Sequence, residues 1–342
     1  MSNRVKNSIW AAVLIVLSIV GYKYQQWTNA KYVAFQGRTM GTTYLIRYED
    51  DERRSLKPQV DSLLVAFNAS LSTYEPDSEI SRLNRDNQIR FQSAYFFPVL
   101  EKSTEVFRRT NGAFDPTVGP LVNAWGFGPE RRQRLDTAQV DSLRALVGFD
   151  RLRYDAQQIT KPHDGMRLDF SAIAKGYGVD VVGEFLEGSG IQDYMVEIGG
   201  EVRCRGESPA DVPWTIGIRN PKYRDQPGGP AGVLKISLAN RALATSGNYE
   251  NYYEVDGRRY AHTIDPKTGF PVQHTLLSAS VLADDCMTAD AYATAFMVLG
   301  TDSAIALARQ LPELEVLLVY DDAEGNLMTY QTPGMEQVIA GE

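Results

Sequence analysis

The chain has 342 residues, 43 acidic against 35 basic, for a formal charge of −8, and its 43% hydrophobic content with 28 Gly and 16 Pro describes a loop-rich globular protein with ample material for a core. That composition excludes disorder, coiled coil and collagen, and the acidic balance removes the excess of cations with which nucleic-acid binders displace counterions. Two cysteines and three histidines, none of the latter at H-x-x-x-H spacing, leave no zinc or iron–sulfur framework, so a metal here would be hard and oxygen-liganded. Cys204 and Cys286 read as free, buried thiols.

Arg4 and Lys6 open the chain, an apolar run follows from Ile9 to Val20, and Lys23 closes it with no acid between. The run has the length of a signal-peptide h-region and falls short of the roughly 20 residues of a full span. No small-x-small cleavage site lies close behind it, and Tyr22, Tyr24 and Trp27 offer an interfacial aromatic belt. Residues 1–30 therefore read as an uncleaved hydrophobic helix anchored in the cytoplasmic membrane, in preference to a signal peptide cleaved near Ala30. Either reading exports residues 31–342, which form one continuous unit without repeats or low-complexity linkers.

Within that unit a strand is expected over Thr43–Tyr48, and a helix over Pro58–Leu71 from the spacing of Val60, Leu63, Leu64 and Phe67. A second helix spans Pro98–Thr110, stopped by Asn111-Gly112, and a third spans Thr137–Val147, capped by Asp136 or Thr137 with Gly148 beyond its end. Strands Trp214–Ile218 and Val233–Leu238 flank a Pro- and Gly-rich loop over 220–232, and Arg259–Thr263, Leu276–Leu282 and Val316–Tyr320 complete the strand set. Helices and strands interleave without strict alternation, which predicts an α+β fold with a mixed sheet and packed helices.

Three kinds of segment bear on chemistry. Leu168 to Ile198 reads as strand, tight turn, helix, Gly stop and strand, with Ile173, Tyr177, Val181 and Phe185 on one buried face. Its helix N-terminus offers unpaired N–H groups to an anion, and Lys175 adds a full charge one turn in. Gly176, Gly178 and Gly183 lie inside the helix and read as small-residue packing; Asp169 and Ser171 could equally be caps. Asp290 and Thr294, at i and i+4 of a helix ending at Leu299-Gly300, put a carboxylate and a hydroxyl on one face, suited to Mg²⁺ or equally to local helix bonding. Asn111 to Pro120, Ala244 to Tyr249 and Tyr260 to Gly269 are turn-rich polar loops, the last carrying His262 as a general base or a structural histidine.

Taken in order, these segments resemble the ApbE family of FAD:protein FMN transferases. The resemblance runs through Gly37 to Thr42, Ser72 to Ser78, Gly112 to Val122, Asp169 to Gly178, Glu197 to Gly200, Thr245-Ser246-Gly247, His262 to Gly269 and Ala289 to Thr294. Eight segments in the family's order are hard to obtain by chance. The resemblance implies an ApbE-like α+β fold that transfers the FMN half of FAD to a Ser or Thr hydroxyl of a client protein, Mg²⁺-dependent, releasing AMP. It implies FAD contacts from Met40, Tyr74, Ala113, Phe114, Asp115, Asp169, Lys175, Ser246 and Ile264, and Mg²⁺ held by the Ala172 carbonyl with Asp290 and Thr294. His262 or Asp265 would activate the attacking hydroxyl, and Asp290 would serve catalysis through the metal. Family members often carry another acid three positions before Asp290, where this chain has Met287. Implied clients are flavinylated subunits of membrane redox complexes such as Na⁺-translocating NADH:quinone reductase or Rnf-type systems. The alternatives are an FAD pyrophosphatase giving FMN and AMP, and a non-catalytic, membrane-tethered FAD carrier.

Overall fold

The computed structural model describes residues 31–130, 133, 135–219, 233–248, 252–255 and 258–339, together with residue 18. The expected N-terminal anchor, Ser18 apart, and the loop over 220–232 lie outside the described residues. In chain order the elements are β1 (Tyr32–Thr39), β2 (Thr42–Glu49), α1 (Lys57–Leu71), α2 (Glu79–Asp86), β3 (Gln88–Arg90), α3 (Phe96–Arg109), α4 (Gly119–Trp125) and α5 (Thr137–Arg144). There follow β4 (Arg153–Tyr154), β5 (Gln158–Thr160), α6 (Ala174–Gly188), β6 (Tyr194–Ile198), β7 (Glu201–Arg205), β8 (Trp214–Arg219), β9 (Val233–Leu238) and β10 (Arg241–Gly247). The C-terminal part holds β11 (Tyr252–Val255), β12 (Arg258–Ala261), β13 (Leu276–Ala283), α7 (Cys286–Leu299), α8 (Thr301–Ala308), β14 (Glu315–Asp321), β15 (Leu327–Gln331) and α9 (Pro333–Val338).

The organising element is an eight-stranded sheet in the order β1-β2-β6-β7-β10-β13-β14-β15. Its faces separate by the two-residue period of the strand. On β10 and β13, Leu243 and Leu282 point to one side, where they pack with Trp214, Ile216 and Ile218 of the β8–β9 ribbon and Met335 of α9. Ala244, Ala279 and Val281 point to the other, against Ala289, Tyr292 and Phe296 of α7. At the β2–β6 end the same helix-side layer continues as Ile46, Val196 and Ile198 beneath Val179, Val182 and Leu186 of α6. Helices α6 and α7 thus lie side by side on one face of the sheet, and their N-termini meet.

The α+β class is the one expected, and the predicted helices and strands appear within a few residues of their expected ends. Asp136 caps α5 in a capping box with Gln139, and Gly300 closes α7. Cys204 and Cys286 are free and buried. The sheet differs from expectation: all seven pairings within it are antiparallel, with no parallel ladder. Leu168 to Phe170 is not a strand; only Arg167, just before it, makes an isolated parallel bridge, to Val118. Thr245-Ser246-Gly247, read as turn chemistry, instead ends the central strand β10, whose polar residues pair with β13.

Candidate active site

The approach to α6 is irregular backbone clamped from a distance. The Asn84 side chain accepts from Leu168 N–H (2.7 Å) and donates to Leu168 C=O (2.8 Å). Lys161 is buried and donates its ammonium to the carbonyls of Asn84 (2.9 Å) and Met166 (2.7 Å); desolvation lowers its pKa to about 8. One residue further, Asp169 N–H donates to Pro116 C=O (2.7 Å), tying this segment to the 113–118 loop. The Asp169 carboxylate accepts from Ser171 N–H (2.8 Å), the local capping role open to it from sequence. No side chain caps α6 itself; Ala174 N–H donates to the Phe170 carbonyl (2.7 Å) and Tyr177 N–H to the Ile173 carbonyl (3.0 Å).

The N-termini of α6 and α7 are joined through backbone. Gly176 N–H, in the first turn of α6 and so without an acceptor inside the helix, donates to Asp290 Oδ2 at 2.9 Å. Among the described residues no backbone N–H donates to the Ala172 carbonyl. The approach needs a glycine: a Cβ on Gly176 would stand 2.2 Å from the Cys286 carbonyl oxygen and 2.7 Å from Asp290 Cβ. Gly178 likewise leaves room for Met40, and Gly183 for Tyr194, so the three glycines serve packing, as expected. Asp180, buried on α6, accepts from the N–H groups of Cys286 (2.9 Å) and Met287 (2.8 Å) and pairs with Arg203 (3.1 Å). This carboxylate caps α7 from the neighbouring helix, and burial pushes its pKa up to about 7.

Asp290 is 2% exposed and Thr294 one turn on bonds Ser246 of β10, hydroxyl to hydroxyl, at 3.1 Å. Lys175 forms an ion pair with Glu201, a carboxylate 3% exposed at the start of β7. Burial raises the Asp290 and Glu201 carboxyls, Glu201 to about 7, against the pull of the ammonium between them. Burial works against the Lys175 charge, and the two carboxylates outweigh it and raise its pKa. The two carboxylates are desolvated, while the Lys175 side chain remains partly exposed, so the ammonium carries the charge of the cluster toward the open space.

These groups open on a cavity of about 730 Å³. Ala172, Lys175, Glu201, Ser246, Asp290 and Thr294 form one wall; the Ala113-Phe114-Asp115 turn, Asp169, His262 and Ile264 are also among its lining. The Asp115 side chain is occupied in holding its own loop, with Oδ1 accepting from Thr117 N–H (2.8 Å) and Oγ (2.6 Å) and Oδ2 from Phe149 N–H (3.3 Å). Opposite, Trp125 donates to the Gly269 carbonyl at 2.9 Å and fixes the loop that carries Ile264 and Pro266. His262 stands edge-on to Phe127 with ring centroids 6.4 Å apart.

Three expected site residues do not line the cavity. Asp265 is a turn residue whose carboxylate accepts from Lys267 N–H at 2.9 Å. Tyr74 is 68% exposed, and desolvation and the Asp169 carboxylate raise its phenol pKa. Met40 lies in the two-residue loop of the β1–β2 hairpin with φ +49°, a left-handed conformation that a methionine rarely adopts, and its thioether methyl reaches Gly178 of α6. Strain held at such a position is characteristic of functional sites.

A family model for the ApbE family matches residues 40–318. The chain belongs to the ApbE family. The FAD:protein FMN transferase of Haemophilus influenzae is 40% identical over 313 residues, 87% of this chain and 88% of that one. The solved flavin transferase ApbE from Vibrio cholerae shares 38% identity and a TM-score of 0.81 over 90% of this chain and 99% of its own. The Pseudomonas stutzeri flavinyl transferase ApbE gives 33% identity and a TM-score of 0.81 over 91% of this chain and 98% of its own.

Among the described residues no group of three or more His, Cys, Asp or Glu side chains is arranged to hold a metal. Ala172, Asp290 and Thr294 line the same cavity and could offer a hard cation a main-chain carbonyl, a carboxylate with one oxygen fixed by Gly176, and a hydroxyl on the same helix face. Met287 stands half-buried on the first turn of α7, so the second acid common in the family has no counterpart there; Asp285 is spent capping Thr288. Sequence reading passed over Glu201 and Asp180. The signal for Glu201 was present, an acid immediately after the Gly199-Gly200 turn, but its partner Lys175 lies a helix and a strand away.

Proposed function

We propose that this chain transfers the FMN moiety of FAD to a Ser or Thr hydroxyl of a client protein, forming a phosphoester and releasing AMP. The observation that carries the reading is the meeting of two helix N-termini at one cavity, where Gly176 N–H bonds Asp290 and where Ala172, Asp290 and Thr294 all belong to the lining. The names of the relatives, and a volume within the roughly 300–1,000 Å³ usual for ligand pockets, support it.

In this reading the Lys175 ammonium, in the first turn of α6, binds and orients the FAD diphosphate, with the helix dipole adding to its charge. Met40 and Tyr74 pack against the flat, polarizable isoalloxazine. The client hydroxyl oxygen attacks the FMN-side phosphorus, the bond from that phosphorus to the bridging oxygen breaks, and AMP leaves with the electron pair. His262 takes the hydroxyl proton, since it lines the cavity whereas Asp265 is committed to its turn. Ala172, Asp290 and Thr294 would hold Mg²⁺, which when bound would neutralise the charge that develops on the phosphate oxygens. The apolar segment before residue 31 tethers the domain outside the cytoplasm, where subunits of Na⁺-translocating NADH:quinone reductase or Rnf-type complexes are the clients.

The test is incubation of the full chain with FAD, Mg²⁺ and an acceptor peptide carrying a Ser/Thr motif, followed by peptide mass and AMP. A mass gain equal to FMN, dependent on Mg²⁺, is expected. AMP with free FMN and an unlabelled peptide would replace transfer by hydrolysis, and FAD bound without turnover would leave a carrier.

A further inference from the structure

The Lys175–Glu201 pair poses a question that substrate binding alone does not answer. Lys175 immediately precedes Gly176, whose N–H bonds Asp290, so one ammonium has two buried carboxylates within reach. It bonds Glu201 Oε1 and makes no bond to Asp290. Glu201 is fixed for this by register: it pairs with Ile198 across the Gly199-Gly200 turn. The second oxygen, Glu201 Oε2, is buried with no hydrogen-bond partner. A carboxylate kept only for the fold would have both oxygens satisfied, because an unpaired buried acceptor is costly.

We propose that Glu201 is a positioning residue that draws the Lys175 ammonium away from Asp290, so that Asp290 Oδ1, Thr294 and the Ala172 carbonyl remain open to a divalent cation. This rests on the reading of that oxygen set as the metal site. An ammonium and a hard divalent ion compete for the same carboxylate oxygen, and the ammonium, tethered next door on α6, has the advantage of proximity. Glu201 removes that competitor while leaving the positive charge in the cavity for the diphosphate. In a chain whose Met287 replaces a second acid, Asp290 is the sole carboxylate of the set, and its availability decides whether the cation binds.

The test is a Mn²⁺ titration without flavin, read by calorimetry and by the electron paramagnetic resonance of free Mn²⁺, on the full chain and its E201Q, K175M, E201Q/K175M and D290A variants. E201Q is expected to weaken Mn²⁺ about tenfold or more, K175M alone to change it by less than about threefold, and the double variant to return near wild type, the non-additivity expected of groups in one network. If Lys175→Met tightens Mn²⁺ by the same factor with and without Glu201, the charges merely add and the positioning role is overturned. Unchanged affinity in E201Q overturns it as well. Wild-type binding that D290A leaves intact overturns the cation site itself, a failure distinct from any failure of flavin transfer. Should E201Q not fold, E201D, a carboxylate shorter by one methylene, carries the same comparison with Lys175→Met, and equal additive effects there contradict the proposal.

Discussion

Asp290 joins three functions in one side chain: it fixes α6 through Gly176, supplies a carboxylate oxygen to the cavity, and balances Lys175. Asp290→Ala is expected to lower turnover about 10²–10³-fold at saturating FAD, the scale for removing one electrostatic stabiliser. Steady-state assays across a Mg²⁺ series check this, and full activity at limiting Mg²⁺ would remove Asp290 from the metal site. Gly176 is the complementary residue. A methyl group there meets the Cys286 carbonyl at 2.2 Å, an unyielding backbone atom, so Gly176→Ala should cost about 1–3 kcal/mol as overpacking does. Urea unfolding measures that cost, and a neutral result would mean that the two helix ends are not held as closely as described.

Among the elements, α6 and α7 were legible in the sequence because a buried helix face repeats every three to four residues, and the i, i+4 pair of Asp290 and Thr294 follows from that period alone. What was not legible depends on contacts distant in sequence. Leu168 to Phe170 is apolar enough to read as a strand, yet it is irregular backbone satisfied by the Asn84 side chain and a carbonyl from residue 116. The polar end of β10 reads as a turn because Thr245 and Ser246 bond partners on β13 and α7, not solvent. Lys161 belongs to the same distant clamp and gives it a pH signature. Its folded pKa of about 8 lies below the ordinary 10.5, so the cost of burying its charge is present in full below pH 8 and is relieved as pH rises from 8 to 10.5. In that window the unfolded chain holds more protons, and stability rises with pH. The stability of wild type relative to Lys161→Met should therefore increase over the window, as denaturant unfolding at stepped pH would register, whereas a decrease would reverse the sign of the shift.

The whole molecule divides its labour by sheet face. The β8–β9 ribbon and α9 cover one side as pure apolar packing, while the other carries α6 and α7 and brings their N-termini to one cavity wall. The ordered run of eight segments foretold the family but did not reach Glu201, whose ion pair with Lys175 depends on how the sheet sets β7 beside α6. The proposed transfer turns FAD into AMP and a labelled acceptor in a single displacement at this wall. It is tested most directly by the ratio of AMP released to acceptor peptide labelled with FMN, followed by the full chain through a Mg²⁺ titration. The account predicts one AMP per labelled peptide throughout, both vanishing together in Asp290→Ala. AMP accumulating in excess of labelled peptide, or labelling that persists in Asp290→Ala, would contradict it.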